Sequence, residues 1–194
     1  MNWDNKEEVL EKVKQNGLNL KYASDRLKDN FDVLLSAVKN DIYSLDFASD
    51  RLKNDKELIM EAVKVDGWAL EYASDNMKDN EDVVMEAIKN NPKALKYASD
   101  RLKNDRDIVL EAVKNDGMAL EYASDEIKDN KDIVLIAVKQ DGCELEWTSD
   151  RLKNDEEIVL EAVKRNKYAF RNYAGDEIKE KYPTVEDLLA VFNK

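Results

Sequence analysis

Residues 56–65 read KELIMEAVKV, with apolar side chains at Leu58, Ile59, Met60, Ala62 and Val63. So dense a cluster does not alternate with period two. It covers a broad arc of a helix, wide enough to pack on more than one side. The segment returns as EDVVMEAIKN at 81–90, RDIVLEAVKN at 106–115 and EEIVLEAVKR at 156–165. Asn54 stands three residues before Glu57 and Asn104 three before Asp107, so each pair is expected to form a capping box at the start of this first helix.

A second apolar cluster follows in GWALEYAS, residues 67–74. The preceding Asp66 makes a DG pair, which by itself signals a hairpin. Its counterparts decide otherwise. The Gly67 register holds Ile42, Pro92 and Lys167, so a left-handed backbone is not required there, and Pro suits the first turn of a helix. Asp66, Asn91 and Asp116 are therefore expected to cap short helices at 67–74, 92–99 and 117–124. SDRLKND then connects one pair of helices to the next, with a tight turn expected to bury Leu52, Met77 or Leu102.

The refrain aspartates fall at Asp25, Asp50, Asp75, Asp100, Asp125 and Asp150, 25 residues apart. Asp176 comes one residue late because AFRNYAGD carries an insertion relative to ALEYASD. A two-helix unit of this length cannot bury its own apolar arc, but stacked copies can. The fold expected is an all-α solenoid of about seven repeats near 4–24, 25–49, 50–74, 75–99, 100–124, 125–149 and 150–175. A cap at 176–194 contains a last helix started by Thr184 with Asp187 three residues on. Lys12 and Glu8 stand where later repeats have core residues such as Ala62 and Leu58, as a solvent-facing end requires. The units resemble a family of short bacterial and protist helical repeats of unknown function, with a consensus like LKNDKEIVLxAVKxNGxALxYAS. The resemblance spans residues 4–176 and implies an architecture but no activity.

Charge narrows the partners. The net charge is −12, which disfavours direct binding to nucleic acid or to anionic membranes and favours a protein with a basic surface. The chain has no histidine, which removes the usual general bases and zinc ligands, and no phosphate-binding loop. Cys143 is its one cysteine, without an evident base, so no enzyme activity, cofactor or metal is expected. The charged start MNWDNKEEVLEK lacks an apolar signal core, and no apolar run reaches membrane-spanning length; a cytoplasmic protein is expected.

Candidate contact residues lie in two sets. An acidic stripe on the first helices contains Glu57, Glu61, Glu86, Glu111 and Glu161, with Ile136 standing where the others have Glu. Near the second helices, Trp68 and Cys143 occupy a variable register shared by Tyr43, Met118 and Tyr168. Trp147 belongs to an aromatic ladder with Tyr22, Phe47, Tyr72, Tyr97, Tyr122 and Tyr173 that is expected to pack between repeats. A lysine row from Lys28 to Lys179 is expected to pair with the refrain aspartates. The function expected is a non-catalytic protein-binding scaffold or adaptor. The alternative is an acidic inhibitor or decoy, for example encoded by a phage or mobile element, that blocks a basic nucleic-acid-binding protein such as a nuclease complex. Self-association through Ile136 and Trp147 is a further candidate.

Overall fold

The computed structural model describes residues 2–192. Met1, and Asn193 and Lys194 at the end of the expected cap, lie outside the described residues. The fold is an all-α solenoid of two-helix repeats with a C-terminal helix, and no strand occurs among the described residues. The repeats form two compact units, one through Leu102 and one from Lys103.

Seven ten-residue helices carry the apolar arcs: Lys6–Gln15, Phe31–Asn40, Lys56–Val65, Glu81–Asn90, Arg106–Asn115, Lys131–Gln140 and Glu156–Arg165. Leu58, Ile59, Ala62 and Val63 are fully buried, as are Val83, Val84, Ala87 and Ile88 one repeat later. Met60 is half-buried, so the arc is narrower by one residue than the sequence pattern suggests. At the first helix Glu8 is exposed and Lys12 half-buried, which gives that end its polar face.

The helix caps differ from expectation by one position. Asp55, not Asn54, caps Lys56–Val65, its carboxylate accepting from Leu58 N at 3.1 Å. Asp105, not Asn104, caps Arg106–Asn115, accepting from Asp107 N and Ile108 N at 3.0 Å each. Asn54 instead closes the preceding connector turn. In a KND triplet the backbone turns from connector to helix at the Asp, so only that side chain reaches the open N–H groups.

The second element of repeats one to six is a six-residue 3-10 helix, such as Gly67–Tyr72 or Gly117–Tyr122, rather than an eight-residue helix. Its caps are as expected: Asp66, Asn91 and Asp116 accept from the N–H two residues on. The three-residue turn places Leu70 and Ala73 one above the other on the core side, and both are buried. In the seventh repeat the inserted residue relaxes this turn into an α-helix, Tyr168–Tyr173. No glycine has positive φ. Glycine is needed at Gly67 for another reason: an added Cβ would meet Ala87 O at 2.4 Å and Asn91 Cβ at 2.9 Å.

The connectors are four-residue helices such as Asp50–Lys53 and Asp125–Lys128. Leu52 and Leu102 are fully buried there, whereas Met77 is only half-buried. The refrain serine caps the turns of repeats three to seven, Ser49 accepting from Leu52 N and Ser149 from Leu152 N, whereas Ser24 makes no side-chain cap bond and Gly175 stands at the last turn. The same serines also join repeats. Ser74 N donates to Lys53 O at 2.9 Å and Ser149 N to Lys128 O at 3.0 Å. Lysine–refrain pairing is seen at Lys28–Asp25, 3.9 Å, but Lys53 donates to the Asp46 carbonyl instead.

A carboxamide adds a second staple at three joints. Asn90 Nδ2 donates to Lys64 O at 3.1 Å while its Oδ1 accepts from Gly67 N at 2.9 Å. Asn40 does the same for Lys14 and Gly17, and Gln140 for Val113 and Gly117. Each uses both ends of one amide to satisfy a carbonyl at a helix end and an N–H at the next helix start.

Candidate partner-binding faces

The stripe on the long helices is less acidic in the folded protein than along the chain. Glu57 is exposed, while Glu61, Glu86, Glu111, Glu161 and Ile136 are half-buried. Glu61 pairs with Lys64 at 3.0 Å and Glu161 with Lys164 at 2.7 Å. The Lys64 ammonium lowers the Glu61 carboxyl below its ordinary value, and Glu61 in turn raises Lys64. Nearby acids receive cations from the preceding repeat: Lys56 reaches Asp82 at 2.5 Å, and Lys131 reaches Glu157 at 2.9 Å. This face is a lattice of exposed ion pairs with little net field of its own.

The 3-10 helices form a different surface. Trp68 and Tyr97 meet edge to face with ring centroids 5.5 Å apart, and Tyr43 meets Tyr72 in the same way at 6.2 Å. Each pair joins the variable register of one repeat to the aromatic ladder of the next. Two series that are separate in the sequence are thus one packed layer, in a geometry the ring quadrupoles favour. Tyr43 stays 58% exposed, Met118 and Tyr168 are also exposed, and Trp68, Cys143 and Trp147 are half-buried.

Carboxylates lie near the ladder tyrosines of repeats three, five and seven. The Tyr72 phenol is raised above its ordinary value by burial, then by Glu71, Tyr43, Asp46 and Asp41. Tyr122 is raised by burial, by a hydrogen bond to Glu121, and by Asp116. Tyr173 is raised chiefly by its hydrogen bond to Glu146, with burial, Cys143 and Asp141 adding to it. At Tyr72 and Tyr122 burial leads and the neighbouring acids add to it; at Tyr173 the hydrogen bond to Glu146 leads. Repeats one and four differ: Lys21 lies over the Tyr22 ring at 4.7 Å and Lys96 over Tyr97 at 5.5 Å.

Cys143 sits where its thiol is held above the ordinary value. Burial is the largest of the effects that raise its thiol, followed by Asp141, and its Sγ accepts from Asn166 Nδ2 at 3.0 Å. Beside it Glu144 is 5% exposed, at a register where Ala69, Ala94, Ala119 and Ala169 are buried. The backbones part to admit it: a Cβ on Gly117 would lie 3.2 Å from Ala137 O, against 2.1–2.4 Å for the matching contacts at Gly17, Gly67 and Gly142. Among the described residues no group of three or more Cys, Asp or Glu side chains is placed to hold a metal ion, and no helix is long and apolar enough to cross a membrane.

The fold and its surfaces thus define a helical-repeat protein with a mixed-charge face on the long helices and an aromatic face on the short ones, where carboxylates and lysines both lie beside the rings. A family model described as a domain of unknown function, DUF4116, matches residues 5–50, 32–78, 80–128 and 130–179, and the chain belongs to that family. Each match spans about two of the 25-residue repeats. No curated protein and no solved structure matches the chain.

Proposed function

We propose that the protein is a non-catalytic scaffold whose short-helix face binds a partner protein through a basic surface. The observation that supports this is the set of carboxylates Asp41, Asp46 and Glu71 near Tyr72, with Glu121 hydrogen-bonded to Tyr122, which add to burial in raising the two phenols. Aromatic rings set among carboxylates suit arginine or lysine side chains, which gain both ion pairing and cation–π contact. The exposed ion pairs of the long helices offer a partner much less.

The test is affinity capture at two salt concentrations with two charge-reversed baits. Partners are expected to be basic, to weaken with salt, to be lost with Asp46→Lys/Glu71→Lys and to persist with Glu57→Lys/Glu61→Lys. Capture unchanged by the first pair would refute the short-helix face. Competition by DNA for the same partner would favour the decoy reading, in which the protein occupies a nucleic-acid channel.

A further inference from the structure

The seventh repeat ends in a cationic segment. AVKRNKYAFRNYAG, residues 162–175, holds Lys164, Arg165, Lys167 and Arg171 and no carboxylate. Repeats one and four are also lysine-rich here, but Lys21 and Lys96, at the register of Arg171, lie over their neighbouring tyrosine rings. Arg171 does something else. Because the inserted residue makes this element an α-helix, Lys167 and Arg171 stand four residues apart on one face of it. They share a cleft of about 420 Å³ with Lys179, Phe170, Pro183, Thr184 and Val185.

This placement violates two local rules. Like charges four apart on a helix repel, and Lys167 stands at the helix N-terminus, where the dipole disfavours a cation. The compensating acid is weak: Glu186 approaches Lys167 at 3.7 Å with both side chains mostly exposed. Thr184 is already engaged, its hydroxyl and N–H both donating to Asp187. The cleft has the size of a small-molecule site, with apolar surface from Phe170, Pro183 and Val185 beneath a few convergent charges. Local conflicts of this kind concentrate where a ligand resolves them.

We infer that this cleft binds a small amphiphilic anion, a phosphate or carboxylate group on a short alkyl or aryl body. The charged head takes Lys167, Arg171 and Lys179, and the body lies on Phe170, Pro183 and Val185. The inference is independent of the short-helix face.

The probe is hexyl phosphate, titrated into the uniformly labelled full chain and followed by amide NMR, with inorganic phosphate and 1-hexanol as controls. Saturable shifts confined to residues 167–171, 179 and 184–185 are expected, with a Kd of about 0.1–1 mM. Arg171→Glu is expected to weaken binding about tenfold or more, and Lys179→Gln to weaken it less. Arg165→Glu, outside the cleft, should change nothing. Thermal melts of each variant confirm that it is folded. Absence of saturation at about 10 mM, equal binding of inorganic phosphate, or retention of affinity in both folded cleft variants would overturn the assignment.

Discussion

Arg51 reaches back to Asp29 in the preceding repeat, its Nε 2.9 Å from the carboxylate and its Nη2 2.8 Å from the Asp29 carbonyl. Ser49 donates to the same carboxylate. The clamp recurs at Asp4–Arg26, Asp79–Arg101 and Asp129–Arg151. Where the first residue is Asn, the second is never Arg: Asn54 faces Asn76, Asn104 faces Glu126, and Asn154 accepts from Glu177 N. An amide can donate to Glu126, as Asn104 does at 3.0 Å, but its neutral oxygen offers a guanidinium no opposite charge and no bidentate ion pair. From Asp29 onward the two kinds of joint alternate, giving a period of two repeats, the length that each family match spans.

Asp129→Asn is therefore expected to lower the urea midpoint of unfolding, and adding Arg151→Glu to recover part of the loss by recreating the other kind of joint. Urea titrations of both variants and of Arg151→Glu alone decide this. Strictly additive effects would mean that the two positions are not coupled.

The clamps also set an acid limit. Hydrogen bonds from Ser49 and then Arg51 hold the Asp29 carboxyl below its ordinary value of 3.8; Asp79 and Asp129 are lowered in the same way by Ser99 and Arg101 and by Ser149 and Arg151. A carboxyl depressed in the fold contributes stability above its unfolded value, and that stability is lost as pH falls through the folded value. Urea midpoints should accordingly be flat from pH 7 to about 5 and fall below about 4, less steeply in Asp129→Asn.

Gly67→Ala should destabilise by about 1–3 kcal/mol, because the new methyl meets a backbone carbonyl that cannot withdraw without parting two repeats. Gly117→Ala should cost less, its nearest contact being 3.2 Å rather than 2.4 Å. Equal losses in chemical denaturation would show that the approach at Gly67 relaxes freely.

Glu144→Ala should stabilise by about 1 kcal/mol, since alanine is the residue buried at this register in four other repeats and the neighbouring backbones can close to the spacing of the other joints. A raised thermal midpoint is the expected result. A lowered one would show that the carboxylate is held by contacts worth more than its desolvation.

The repeat length, the number of units, the polar first helix and the Thr184–Asp187 cap were all legible in the chain, because burial on a helix face imposes a period that needs no knowledge of neighbours. The refrain serine was legible as a cap, but not its second bond to the previous repeat. The spacing of Asn54 to Glu57 points to Asn54 as the cap, but the adjacent Asp55 can accept from a helix N–H equally well. Only the path of the backbone at the connector decides that Asp55 does.

The candidate faces divide along the same line. Sequence alone determined which registers carry acids and aromatics, because side-chain chemistry is written residue by residue. Tertiary structure alone decided which acids are neutralised, since Lys56 meets Asp82 across 26 residues of chain. It likewise decided that Trp68 and Tyr97 share one surface. Ion pairing and ring contact depend on distances that stacking creates, and a 25-residue period specifies that stacking occurs without specifying which side chains it brings within reach.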